Sequence, residues 1–199
     1  MEQIRILIAE DHEIVRMGIC GLIEKIPDME VIGEAMDGDM AVWLSEKLKP
    51  DIVIMDVMLP GMNGIEATRQ ICVQDSKTKI VTLSLHSDRE YVTGMLKAGS
   101  SGYLLKDSAF QELVDAIRCV IGGRVYLGKS LIQSISKDML GLLGDAGDIE
   151  ILTPDEKKIL LFLRDGKRPN EIASLLSITQ DAVEKHRDKI INKWLILFQ

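Results

Sequence analysis

Along residues 4–121, short unbroken apolar runs alternate with longer stretches of helical spacing. IRILIA (4–9) is an apolar run closed by Glu10 and Asp11. The next stretch places Ile14, Val15, Gly18, Ile19, Leu22, Ile23 and Ile26 on one broad helical face that ends at Pro27. MEVIGEA (29–35) reads as a strand and AVWLSEKL (41–48) as a helix. After Pro50, DIVIMD is a strand, and LPGMNG is a loop whose proline and two glycines break regular structure. The helices GIEATRQICVQ, REYVTGMLKAG and FQELVDAIRCVIGG then alternate with the strands KIVTLS and SGYLLK. Each crossover is too long for a hairpin and just long enough for one helix. Residues 1–122 are therefore expected to form a doubly wound α/β domain, a five-stranded parallel sheet covered on both faces.

The pattern changes at residue 123. Residues 123–150 have a helix-like middle and a Gly/Asp-rich end, which suits a linker. Residues 151–199 read as a small all-α domain. Thr153-Pro154 with Glu156 is a helix-start signature, and PDEKKILLFLRD stops at Gly166. NEIASLLS forms a second helix, and a turn at Ile178-Thr179 leads into QDAVEKHRDKIINKW.

Composition narrows the class. Hydrophobic residues make up 46% and charged residues 28%, a globular balance, while only 4% are aromatic, so the cores are aliphatic. No apolar run approaches the length of a membrane span and the N-terminus has no signal-peptide pattern, so a cytoplasmic protein is expected. Cys20, Cys72 and Cys119 are odd in number and show no CxxC spacing, which excludes a disulfide framework and a zinc site as first readings. The net charge of −7 is uneven, with −8 on residues 1–122 and +2 on residues 151–199. An acidic first domain is no nucleic-acid surface, whereas the tail's charge permits one.

Candidate chemistry lies at the strand ends. In a doubly wound parallel sheet the residues just past the strands become neighbours along one edge. Glu10 and Asp11 follow the first strand, Asp56 follows the third, Ser84 ends the fourth and Lys106 follows the fifth. Crowded carboxylates repel one another, and a divalent cation relieves that repulsion; an oxygen-only donor set selects Mg²⁺. Asp56 beside Mg²⁺, with Lys106 opposite and a hydroxyl nearby, is a carboxylate nucleophile with electrophilic help for a phosphoryl group. His12 and His86 read as flanking groups without a metal role, and the ten methionines as core filler.

With IAEDHEIVRMG, DIVIMDVMLPGMNGIEATRQI, VTLSLHSDREYV and AGSSGYLLKDS, residues 1–122 resemble the receiver domain of bacterial response regulators, a flavodoxin-like fold. The resemblance implies that Asp56 accepts a phosphoryl group from the phosphohistidine of a histidine kinase. It implies that Glu10, Asp11, Asp56 and the main-chain carbonyl of Met58 bind Mg²⁺ and that Lys106 contacts the phosphoryl oxygens. Ser84 and Tyr103 match the family's switch pair: Ser84 moves to the phosphoryl group and Tyr103 turns inward behind it, which favours a homodimer.

LTPDEKKILLFLRDG, NEIASLLSIT and AVEKHRDKIINK resemble the helix-turn-helix of the NarL/FixJ, or LuxR-type, subfamily, with Ile172, Ala173, Leu176, Ile178, Val183, Ile190 and Ile191 as its core. The resemblance implies DNA binding through Thr179, Lys185, His186, Arg187, Lys189 and Lys193. Two departures stand out. Glu184 and Asp188 are expected on the exposed face of the recognition helix, which would weaken DNA binding. WLILFQ replaces the family's fourth helix, so the domain reads as shortened; that run either extends the last helix onto its own core or forms an exposed apolar patch. The leading expectation is a phosphorylation-switched transcription regulator that is not a turnover enzyme. A signalling adaptor whose tail binds protein is the alternative, and a stand-alone phosphatase lacks a second acid/base.

Overall fold

The computed structural model describes residues 3–108, 110–145 and 152–197. The chain divides into two compact units, Met1–Leu127 and Gly128–Gln199. The first is a parallel α/β sheet. Its strands are β1 (Ile4–Ala9), β2 (Met29–Ala35), β3 (Ile52–Met55), β4 (Lys79–Ser84), β5 (Gly102–Leu105) and β6 (Tyr126–Leu127), in the spatial order β2-β1-β3-β4-β5-β6. The helices are α1 (Glu13–Ile23), α2 (Gly38–Leu48), α3 (Gly64–Gln74), α4 (Arg89–Ala98) and α5 (Phe110–Ile121).

β3 is apolar throughout, and β1 is apolar and buried from Ile6 to Ala9, because both faces of the central sheet are covered. Ile6, Ile8, Ile52, Ile54 and Val81 join Ile19, Ile23, Val114 and Ile117 in one core. Register places Ala9 beside Met55 and Met55 beside Thr82, so the residues after β1, β3 and β4 emerge together. This is the edge on which the site is built.

Helix boundaries follow local chemistry. α2 starts three residues earlier than the apolar spacing predicts, because the Asp37 carboxylate accepts the Met40 N–H at 2.7 Å and caps it. α1 ends at Ile23, ahead of the Pro27 stop, and turn hydrogen bonds carry the chain through Ile26. α3 is capped by Asn63, which accepts the Glu66 N–H. The sheet has a sixth strand that the hydrophobic pattern does not predict: β6 pairs parallel to β5, with Tyr103 opposite Leu127. Two residues leave no readable alternation.

The second unit begins with α6 (Lys129–Asp145), which occupies the middle of the segment expected to be a linker. The Gly/Asp-rich end of that segment lies outside the described residues. α7 (Pro154–Arg164), α8 (Pro169–Leu176) and α9 (Gln180–Leu197) complete the helical unit. α7 opens on a reciprocal capping box between Thr153 and Glu156. Ile159, Leu160, Leu163, Ile172, Ala173, Val183, Ile190, Ile191 and Trp194 are buried there. Leu176 is half-buried, and Ile178 lies 38% exposed on the turn between α8 and α9, outside the core expected of it. WLILFQ continues α9 as far as Leu197 and seats Trp194 in the core at 1% exposure, while Ile196 faces outward. Phe198 lies outside the described residues. Among those residues no helix is long and apolar enough to cross a membrane.

Candidate functional site

The strand ends bring together the groups that the spacing predicts. Glu10 and Asp56 are buried, and the Lys106 ammonium bridges them, 2.7 Å from Asp56 Oδ2 and 2.7 Å from Glu10 Oε2. Ligand atoms of Glu10, Asp11, His12 and Asp56 lie within 4.8 Å of one another. The Met58 N–H donates to Asp56 Oδ1 at 3.3 Å, which turns the main chain after β3 back over the carboxylate. A cavity of about 180 Å³ opens here, lined by His12, Asp56, Met58, Leu85, His86 and Lys106. Burial pushes the Lys106 ammonium down, but hydrogen bonds and charge from Asp56 and Glu10 outweigh this and hold it above its ordinary value. Its cation is thus fixed at neutral pH. The carboxylate oxygens form a hard-donor set that fits a divalent cation such as Mg²⁺.

Three supports of this edge escape a reading by residue type. Gly64 is compulsory, because a Cβ there would lie 1.9 Å from the Asp56 carbonyl oxygen. Its N–H donates to Val57 O and closes the loop that carries Asp56. Arg16 turns inward from α1, donating from one terminal nitrogen to Glu10 O at 2.9 Å and from Nε to Glu34 at 3.0 Å. An arginine interrupting the apolar face of α1 was its signal in the sequence. The third support is the main chain of His86.

His86 N–H donates to Ser84 Oγ at 3.1 Å, and the Tyr103 hydroxyl donates to His86 O at 2.7 Å. Ser84 and Tyr103 therefore hold the two sides of one peptide segment. Tyr103 is completely buried, so the inward position expected to follow phosphorylation is present in this structure. Burial pushes its phenol up to about 12; a hydrogen bond from Ser84 lowers it in part and the charge of Asp56 adds to the rise. The His86 ring packs on Tyr91 with centroids 4.7 Å apart. His12 sits beside Glu10 and Asp11, with Nδ1 2.9 Å from Asp11 and its side chain mostly in solvent.

The expected nucleic-acid residues separate on α9. Thr179, Lys185 and Lys189 are exposed, and Thr179 Oγ1 accepts the Ala182 N–H at the helix start. His186 is half-buried. Arg187, expected to face outward, is 6% exposed and forms an ion pair with Glu184 at 2.7 Å. Lys193 is bound to the buried Glu156. The exposed acidic pair is corrected as well: Glu184 is 7% exposed, and Asp188 is half-buried 3.8 Å from Arg187. The reason is Arg187, whose inward guanidinium needs carboxylate partners, and Glu184 lies one turn before it. Asp181 pairs with Lys185 at 2.8 Å on the outer face.

Comparison with known proteins matches the response regulator receiver domain over residues 6–118 and the bacterial regulatory proteins of the luxR family over residues 150–194. The transcriptional regulatory protein LiaR of Bacillus subtilis is 40% identical, across 96% of this chain and 90% of its own. A LuxR-family two-component response regulator from Aurantimonas superposes with a TM-score of 0.67 at 38% identity, over 70% of this chain and 99% of that one. The RcsB response regulator of Salmonella typhimurium, in a structure described for DNA interaction, superposes with a TM-score of 0.65 at 25% identity, over 98% of this chain and 93% of that one.

Proposed function

The chain belongs to the response regulators that join a receiver domain to a LuxR-type helix-turn-helix, and from that premise we propose that Asp56 is the phosphoacceptor through which a histidine kinase controls DNA binding by the second unit. The observation that carries this reading is the Lys106 ammonium held 2.7 Å from Asp56 in a cluster of three carboxylates. An Asp56 carboxylate oxygen attacks the phosphorus of a phosphohistidine. The P–O bond forms as the P–N bond breaks, and the imidazole leaves and takes up a proton. Lys106 meets the charge on the phosphoryl oxygens, and the Ser84 hydroxyl can turn from His86 N–H to donate to one of them. Glu10, Asp11, Asp56 and the Met58 carbonyl would hold Mg²⁺, which would supply further neutralisation of that charge. The chain accepts and stores one phosphoryl group rather than turning over a substrate, and it acts in the cytoplasm, where its kinase and DNA are.

For the output, exposed Lys185 and Lys189 on α9 supply phosphate contacts, and a phosphorylation-dependent homodimer would double them. Incubation with acetyl phosphate and Mg²⁺ should give one hydroxylamine-sensitive modification by intact mass, lost on chelation and absent from Asp56→Asn. Labelling that persists in Asp56→Asn would remove Asp56 from the role. Salt-dependent retention of duplex DNA separates a DNA-binding tail from a protein-binding one.

A further inference from the structure

We propose that Asp181 limits the nucleic-acid affinity of α9 by holding Lys185 in an ion pair that DNA has to open. The inference rests on the DNA-binding reading above and names the residue that sets its strength. The outward strip of α9 carries Asp181, Lys185, Lys189, Asn192 and Ile196, all exposed and spaced along one helical face. Two other cations of the helix are committed inward, Arg187 to Glu184 and Lys193 to Glu156. Phosphate contact from the described part of this face therefore depends on Lys185 and Lys189.

Of these two, Lys185 carries a carboxylate partner. Asp181 Oδ2 lies 2.8 Å from Lys185 Nζ, and the side chains are 66% and 72% exposed. An acid four residues ahead of a base is the favourable order on a helix, so the pair forms without a ligand. A phosphate approaching Lys185 meets a competing anion already in contact with its cation. Lys185 then releases less of the DNA counterion atmosphere than a free lysine would. The buried Glu184, by contrast, has Arg187 as its partner and is withdrawn from this face.

A different role for Asp181 has to be separated from this one. It stands in the first turn of α9, where a carboxylate is favoured by the helix dipole whatever Lys185 does. A double-variant cycle makes the separation. Full-length protein phosphorylated with acetyl phosphate and Mg²⁺ is titrated onto a labelled mixed-sequence duplex over a salt series, read by anisotropy. Asp181→Asn should tighten binding about three- to tenfold at physiological salt and steepen the log–log salt slope by about 0.9. Asp181→Ser, which keeps a residue suited to a helix start, should do the same. Lys185→Ala should weaken binding, and adding Asp181→Asn to it should restore little or nothing.

An equal gain from Asp181→Asn with and without Lys185 would overturn the ion-pair mechanism. Unchanged affinity in Asp181→Asn and Asp181→Ser, with Lys185→Ala still weakening, would overturn the inference and leave the DNA reading standing. Absence of duplex binding by the wild type and every variant would overturn the DNA reading, and this inference with it.

Discussion

Tyr103 carries the strongest single-residue signature in the receiver unit. Its phenol is sealed in the sheet with only the hydroxyl reaching out to His86 O, and ionising it there would put a charge in an apolar setting near Asp56. The pH consequence follows from the rise to about 12 against an ordinary 10.0. The unfolded chain loses this proton first, so the stabilisation is complete below about pH 10 and is lost as pH rises through about 12. Tyr103→Phe should delete one step near pH 12 from the phenolate absorbance titration and leave stability at neutral pH lower by about 0.5–1.5 kcal/mol, one hydrogen bond. Loss of a step near pH 10 in place of the one near pH 12 would show that this hydroxyl is not buried. Glu10, Asp11, Asp56, Ser84 and Lys106 were legible as residues because strand ends of a parallel sheet converge whatever the side chains between them, whereas Tyr103, inside β5, was legible only through the family resemblance. The main chain of His86 was not legible, since the N–H and C=O that two side chains hold leave no mark in residue type.

Among the elements, α9 departs furthest from what its sequence suggests. Its polar residues read as an outward acidic and basic mixture, yet Glu184 and Arg187 turn in and pair. Periodicity alone could not find this, because a charged residue at a core position is scored as outward unless its partner is known. Replacing Glu184 with Lys would therefore not add a phosphate contact. It would press a second cation against a buried guanidinium, and breaking a buried pair costs about 3–5 kcal/mol. The second unit has its own reporter, since Trp194 is buried there and Trp43 is exposed in the receiver unit. In a Trp43→Phe background, denaturant unfolding followed by Trp194 fluorescence should show Glu184→Lys melting far earlier; a midpoint unchanged from its parent would place Glu184 in solvent. Glu156 gives the same unit an acid limit. Burial raises its carboxyl, but Lys193 and the Thr153 main chain outweigh this and hold it below 4.5. Its contribution is therefore present above about pH 4.5 and is lost as pH falls through the lower folded value. In Glu156→Gln, Trp194 fluorescence should report a smaller loss of stability on acidification.

Over the whole chain, phosphorylation has to reach the second unit through groups that both hold the β4–α4 loop and touch the rest of the sheet. Ser84 and Tyr103 do the first by gripping the two sides of His86, and Tyr103 does the second, since its main chain lies opposite Leu127 of β6. One residue beyond Leu127, at Gly128, the chain passes into the second unit. The two grips differ in what a phosphoryl group asks of them. Ser84 has to release His86 N–H to bond the new oxygens, while Tyr103 is already inward and can keep His86 O. In the proposed mechanism the switch would depend on one hydroxyl rather than on a rotating ring, and a full population shift from 1:99 to 99:1 needs about 5.5 kcal/mol of differential interaction. A charge-assisted hydrogen bond contributes about 1.5–3 kcal/mol of that, so on this proposal Ser84 would supply a part, and Lys106 and a bound cation would have to supply the remainder. Ser84→Ala should accept acetyl phosphate on Asp56 to the same final extent as the wild type, yet show a smaller phosphorylation-dependent change in sedimentation. Equal changes in the two proteins would take Ser84 out of the path and leave Tyr103, with β5 and β6, as the route by which the site is read.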